Sequence, residues 1–428
     1  MKTPRAPELD LMADFAEYFD ELDDPRMASK THHPLLSVLM LTVLGVLCGA
    51  ESWVDLAIFG RSKQKFLATF LDLPCGAPGK DTFRRVFEGL EPAAFRRCFL
   101  RWIGDLIGTL EGKHVAIDGK TLRAALAHRN VLPLHLVHAW VVDNQVLFAQ
   151  IAGWGKGQEL SALPGLLHLL DIRGATVTID ALGCQREIAE QIREQKADYI
   201  LNVKDNQPKL HEEVRRHLLA VRDAALPVAD AAVSASTAAS AAQERRRRNG
   251  EVRQTAPSTS AATPALHTRT EEHGHGRHEV REVWVSHNVA SCPEATGWPE
   301  VESLVLIERR RTIGDVTECM SHCYISSVKK LDAVAALTFV RNHWSVENIL
   351  HWTLDVAFRE DQSRIHSPNG AQNFALVRRI ALNALKREKT LKHGIRTKQK
   401  NCGWDNEYLL SILQLMSPPN GEAPAQVA

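Results

Sequence analysis

Three acidic residues in this chain stand where phosphodiester chemistry would need them. The stretch Lys113 to Thr121 reads Lys-His-Val-Ala-Ile-Asp-Gly-Lys-Thr. Its run His114 to Ile117 favours a buried strand, and Asp118-Gly119 suits a strand end or a tight turn, so a carboxylate is expected at a sheet edge. Ala175 to Ile179 repeats the arrangement and ends in Asp180, 62 residues on (180 − 118); Glu347 follows after a further 167 (347 − 180). Each Asp taken alone reads equally well as a turn cap. Two carboxylates at the ends of neighbouring core strands, however, repel unless cations neutralise them. Three carboxylates converging on two ions meet the needs of phosphodiester chemistry, one ion activating the attacking oxygen and the other stabilising the leaving oxygen. Hard oxygen ligands select Mg²⁺ or Mn²⁺ over zinc.

The choice of Glu347 rests on helical phase. A long helix is expected from Asp332, a good N-cap residue. Along it Leu337, Val340, Trp344, Glu347, His351, Leu354 and Phe358 recur at steps of three and four, a seam that should face protein. Glu347 and His351 are its only polar members, and a carboxylate there costs several kcal/mol unless it is paired or bound to a cation. A salt bridge to His351 is the alternative. Asp355 joins Arg341, Ser345, Asn348 and Arg359 on the polar side. Asp361 continues the seam but lies about 21 Å along the axis from Glu347 at about 1.5 Å per residue.

These side chains need a scaffold. At 428 residues two or three domains are expected. Residues 1–110 read as all-helical: an apolar run Leu35 to Ala50, a helix over Asp81 to Leu90 with Arg84 and Arg85 outward, and one opened by Pro92 with a face through Phe95, Phe99, Trp102, Ile103, Leu106 and Ile107. This segment suits DNA binding, or simply a solvated charged face. From 113 the pattern changes to strands. Leu134 to Val142 and Val146 to Ile151 flank Asp143-Asn144-Gln145 as a hairpin; then come a helix over Glu159 to Leu170, the strand to Asp180, a helix over Gln185 to Lys196, a strand Tyr199 to Val203 and a helix Gln207 to Leu219. The fold class is therefore α/β: a ribonuclease H-like mixed sheet flanked by helices, its first part at 111–222. Residues 223–268 hold fourteen alanines between Ala224 and Leu266, with Arg245 to Arg248 among them, and are expected to form a disordered linker. Residues 269–330 read as an inserted small β subdomain with strands Glu279 to Ser286, Leu304 to Glu308 and Cys323 to Ser326. The second part of the core comes at 331–415, with a disordered tail at 416–428. Arg378 to Lys400 carries nine Lys or Arg and one acid, Glu388, a phosphate-binding face or a solvated basic surface.

Composition sets further bounds. The formal charge is +1, so local clusters must identify any nucleic-acid partner. Eight scattered cysteines lack the pairing of a secreted framework, and a cytoplasmic, nucleoid-associated location is expected. Cys319, His322 and Cys323 read as ordinary buried side chains rather than a zinc site, and His273, His275 and His278 as loop histidines. The Leu35 to Ala50 run is too short to span a membrane and reads as a buried helix.

The blocks AIDGKTLRAA, TIDALGCQREIAEQI, DYILNVKDNQPKL, HWSVENILHWTLDVAFRED, RRIALNALK and GWDNEYLL resemble the H-repeat-associated DDE transposases of bacterial insertion sequences, in fixed order from about Leu35 to Leu413. The resemblance implies a ribonuclease H-like core, Mg²⁺ (or Mn²⁺) as two ions, cleavage at terminal inverted repeats and strand transfer into target DNA. It implies Asp118, Asp180 and Glu347 as catalytic metal ligands, and a homodimer assembled on DNA. Candidate DNA contacts are Lys120, Arg123, Lys204, His343, Arg378, Arg379, Lys386 and Arg387. The Tyr, Arg and Lys that related transposases place around the third acid are replaced here by Val340, His343 and Leu354, and the usual NEI by Gln158-Glu159-Leu160. Other readings remain open: a nuclease or resolvase on the same fold, which cuts without joining; a domesticated, non-catalytic DNA-binding protein; or a glycosidase acid/base pair, which leaves the third acid and the basic run unexplained.

Overall fold

A computed structural model describes residues 11–122, 134–154, 158–240, 266–274 and 276–417. In chain order the helices are α1 (Leu11–Phe19), α2 (Leu35–Leu47), α3 (Trp53–Ser62), α4 (Gln64–Leu67), α5 (Lys80–Gly89) and α6 (Pro92–Ile107), followed by strands β1 (His114–Leu122), β2 (Leu134–Val141) and β3 (Val146–Trp154). Next come α7 (Gln158–His168), β4 (Thr176–Ile179), α8 (Arg186–Glu194), β5 (Asp198–Val203) and α9 (Pro208–Ser240). Strands β6 (His267–Gly274) and β7 (Arg277–Ser286), helix α10 (Pro293–Thr296), and strands β8 (Ser303–Ile313) and β9 (Val316–Ser326) precede α11 (Ala333–His343). A π-helical turn (Val346–His351) leads to α12 (Trp352–Val356), α13 (Pro368–Arg387), α14 (Ile395–Trp404) and α15 (Asn406–Gln414). The result is a mixed α/β protein in two compact units, 1–175 with 342–428, and 176–341. Within the first unit α6 packs on β3.

In the first unit β1, β2 and β3 form an antiparallel meander. Helix α13 is its centre, packing on α2, α5, α6 and β3. Phe374 is fully buried, edge-on to Trp53 at 4.9 Å, a contact that with its burial stabilises by roughly 2–3 kcal/mol. Asn383 latches the helix to β3, donating to the Leu147 carbonyl at 2.9 Å and accepting from the Leu147 amide at 3.0 Å. The apolar run at Leu35 does form a buried helix.

In the second unit β4 and β5 are parallel, and β9, β8, β7 and β6 extend that sheet in antiparallel order. Helix α11 lays Leu337 and Val340 on Val283, Val305 and Tyr324. No helix among the described residues is long and apolar enough to cross a membrane.

Several expectations are corrected. Strand β1 does not stop at Asp118 but runs to Leu122, because β2 supplies partners as far as Leu134, so the Asp-Gly turn signal yields to sheet pairing. Helix α9 continues to Ser240, so the first part of the alanine-rich segment is helical, in keeping with alanine's helix propensity; residues 241–265 lie outside those described. Strand β6 has no hydrophobic alternation to announce it, since its residues are polar on both faces. His273 and His278 lie on β6 and β7 rather than in a loop, and His275 lies outside the described residues. Cys323 is buried, as expected, but Cys319 is exposed. The long helix from Asp332 is interrupted by the π-helical turn, and Arg359, in the left-handed region at φ 48°, stops the helical run beyond α12.

Candidate active site

Asp118 sits mid-strand on β1, its side chain 20% exposed. Directly across the ladder is His138 of β2, which is fully buried. The π-helical turn packs on β1 and inserts His351, whose Nε2 lies 3.1 Å from His138 Nδ1 and whose Nδ1 lies 3.6 Å from Asp118 Oδ2. From α13, Arg379 places Nη2 3.1 Å from His138 Nε2. A guanidinium has only donors, so His138 Nε2 must accept. Its Nδ1 therefore carries the hydrogen and donates to His351 Nε2, which leaves the His351 hydrogen on Nδ1, facing Asp118. The hydrogen bonds from Arg379 through His138 to His351 thus fix both tautomers and leave the His351 Nδ1–H facing Asp118 at 3.6 Å.

The electrostatics agree with neutral rings. Burial, with Lys120 and Arg379 nearby, pushes the His351 imidazole down to about 3. Burial and the Arg379 charge drive His138 well below its ordinary value. The far end of the relay is Glu360, fully buried and paired with Arg379 through both oxygens. Burial alone would raise this carboxyl, but Arg379 and Arg378 hold it below the ordinary range. Removing one member of such a pair costs about 3–5 kcal/mol.

Lys120 lies two residues beyond Asp118, on the same face of β1. It is buried and bonds both oxygens of Asp355 at 2.7 Å, with Asp361 at 3.5 Å. Asp355 is thus an ion-pair partner rather than a solvated surface acid. Burial raises its carboxyl against the lowering by Lys120.

Glu347 sits in the π-helical turn and is exposed, as is Trp344, so the seam expected from steps of three and four does not hold at these two positions. A π turn inserts a residue and rotates the chain by about 100°, which breaks the phase on which a single regular seam depends. Leu337 and Val340 before the turn, His351 at its last position, and Leu354 and Phe358 after it are buried as expected. The first unit therefore holds Asp118 and Glu347 on two packed elements, β1 and the turn. Asp180 belongs to the second unit, exposed at the end of β4, where its Oδ1 accepts from the Leu182 amide at 3.1 Å and caps a 3-10 turn.

The candidate DNA contacts divide by exposure. Lys204 is exposed. Lys120, His343, Arg378 and Arg379 are buried, which removes them as direct phosphate contacts. Lys386 and Arg387 are half-buried and bonded to Gln145 Oε1 (2.9 Å) and the Leu415 carbonyl (3.0 Å). Arg123 lies outside the described residues. The basic run is reorganised by Glu388, whose carboxylate accepts from the Leu391 amide at 2.9 Å, Lys398 at 2.9 Å and Tyr408 at 3.0 Å. Lys389, Lys392, Arg396 and Lys400 remain exposed. Charged residues inside the apolar stretch Phe374 to Leu385, and His138 inside Leu134 to Val141, are the sequence signal for the buried network.

The donor set suits a hard divalent cation. Asp118 and Glu347 offer carboxylate oxygens, and the neighbouring imidazoles are neutral and turned into the relay.

The family model described as Transposase DDE domain matches residues 109–384, and one described as DDE_Tnp_1-associated matches residues 16–103. The chain is 34% identical over 407 residues to the "Putative protein YbfL" of Escherichia coli strain K12, covering 93% of this chain and 97% of that protein. It is 33% identical over 408 residues, with the same coverage, to the "H repeat-associated putative transposase YhhI" of the same strain. A shorter relative there, the "Inactive transposase YbfQ", is 39% identical over 70 residues, 16% of this chain and 83% of its own length. With a domain model spanning most of its length and relatives matched nearly end to end, the chain belongs to the DDE transposase family.

Proposed function

We propose that the protein is a divalent-metal-dependent insertion-sequence transposase that cuts at terminal inverted repeats and joins the freed ends to target DNA. Asp118, Asp180 and Glu347 would hold two Mg²⁺ or Mn²⁺ ions on a ribonuclease H-like core. Bound there, the ions would activate the attacking oxygen and stabilise the leaving one. The observation that carries this reading is the buried order Glu360, Arg379, His138, His351, which ends on Asp118. One buried ion pair and two buried imidazoles are lined up behind one carboxylate, an arrangement that a turn cap does not need.

The chain's own residues supply binding and orientation. His351 Nδ1 faces Asp118 at 3.6 Å, and Lys120 with Asp355 ties β1 to α12 beside it. Lys389, Lys392, Arg396 and Lys400 offer a phosphate-binding face in place of the buried arginines, with Lys204 as a further contact. We assign the helical segment 1–110 to DNA-end contacts and residues 269–330 to an insertion within the catalytic core. A homodimer assembled on two DNA ends in the cytoplasm completes the reading.

Incubating the protein with labelled gene-flanking DNA and Mg²⁺ tests it. Cleavage followed by joining supports the transposase; cleavage without joining points to a nuclease or resolvase; binding without cleavage points to a domesticated DNA-binding protein.

A further inference from the structure

The tip of the β6–β7 hairpin presents a second donor set of different chemistry. His273 and His278 are direct cross-strand partners. Glu271 lies two residues before His273 on β6, so all three project from one face. The two rings stack with centroids 4.2 Å apart and planes within 3°. Glu271 Oε1 lies 2.7 Å from His278 Nε2 and 3.6 Å from His273 Nε2. All three ligand atoms fall within 4.8 Å of one another. Zinc bonds nitrogen and carboxylate oxygen at about 2.0–2.2 Å, which sets a tetrahedral edge of about 3.3 Å between donors. The two measured separations bracket that edge, so small side-chain rotations suffice to close the site.

From this geometry we infer that Glu271, His273 and His278 form a binding site for a borderline divalent cation, zinc or copper, at the hairpin tip. Arg269 strengthens the assignment. Its Nη2 bonds Glu271 Oε2 at 3.2 Å, fixing the carboxylate so that Oε1 faces the imidazoles. Two imidazoles and one carboxylate select zinc, copper or nickel, whereas magnesium prefers an all-oxygen shell. The site is thus separate in chemistry from the acids at Asp118 and Glu347. Three protein ligands leave a fourth position for water or an incoming donor. The site also has a mechanical consequence. Strand β6 is the last strand of its sheet and is mostly exposed, so a cation shared between its end and β7 would fasten a strand with little apolar contact of its own.

The test uses the full-length protein in excess Mg²⁺, which occupies hard-oxygen sites, with zinc titrated against a chromophoric chelator. The wild type should bind one zinc that is weakened about tenfold or more in His273→Ala and in His278→Ala, and about tenfold in Arg269→Ala. Asp118→Asn should bind it as the wild type does. Copper substituted for zinc should give an electron paramagnetic resonance signal with two nitrogen ligands, and zinc should slow amide exchange along β6. His273 is 71% exposed, so its replacement leaves the hairpin folded and the comparison valid. Equal zinc uptake by the wild type and the His273→Ala/His278→Ala double variant would overturn the site, as would no uptake by the wild type at millimolar zinc.

Discussion

His138 and His351 meet Nδ1 to Nε2 at 3.1 Å, one from the middle of β2 and the other from the π-helical turn, and the contact lies between Arg379 and Asp118. If this order positions the first acid, His351→Ala should lower cleavage about 10–100-fold and raise the Mg²⁺ concentration needed for half-maximal rate. Affinity for the DNA ends should stay near wild type. An unchanged metal dependence beside a destabilised fold would reduce the relay to packing.

Asp118→Asn, Asp180→Asn and Glu347→Gln should each depress cleavage by roughly 100-fold or more while leaving end binding intact, since phosphate contacts elsewhere carry the affinity. Asp355→Asn and Asp361→Asn should keep most of the chemistry. Asp355→Asn should, however, lower the thermal midpoint, because buried Lys120 loses its main partner. A Glu347→Gln variant that cuts at the normal rate would show that the third ligand lies elsewhere.

Replacing Lys389, Lys392, Arg396 and Lys400 together by alanine should weaken DNA binding and reduce the salt slope of log affinity by up to roughly 3–4, about 0.9 for each phosphate no longer neutralised. Arg378→Ala should act differently. Its guanidinium is buried against the Phe374 ring at 4.5 Å and beside Glu360, so unfolding measurements should register the change with the salt slope unmoved. A fall in salt slope for Arg378→Ala alone would return that residue to the DNA face.

Acid should destabilise the protein partly through His114. Burial, with His343 nearby, pushes its imidazole down to about 3. Above the unfolded value near 6.5 neither state binds the proton and the group contributes no pH dependence. Between about 6.5 and 3 only the unfolded state binds it, so stability falls with pH by up to about 1.4 kcal/mol per unit. Urea unfolding from pH 7 to 4 should show a slope smaller by about that amount in His114→Phe. Parallel slopes in the two proteins would exclude the assignment.

Much of this molecule is legible along the chain. The buried Leu35 helix, the hairpin around Asp143 to Gln145 and the short β4 that delivers Asp180 arise from local hydrophobic pattern and turn chemistry. So do the residue types of the three acids. What the pattern could not carry is whatever depends on partners distant in sequence. Strand β1 passes through its turn signal because β2 pairs with it, and β6 becomes a strand because β7 does. Arg378 and Arg379 look like a phosphate-binding pair until the buried Glu360, nineteen residues before Arg379, claims them. The π-helical turn carries no recognisable sequence sign, yet it exposes Glu347 while His351 reaches Asp118. Hydrophobic periodicity shows which face of an element is apolar. Which polar group satisfies which buried charge is settled only when the elements pack, because the cost of an unpaired charge is a property of its final surroundings.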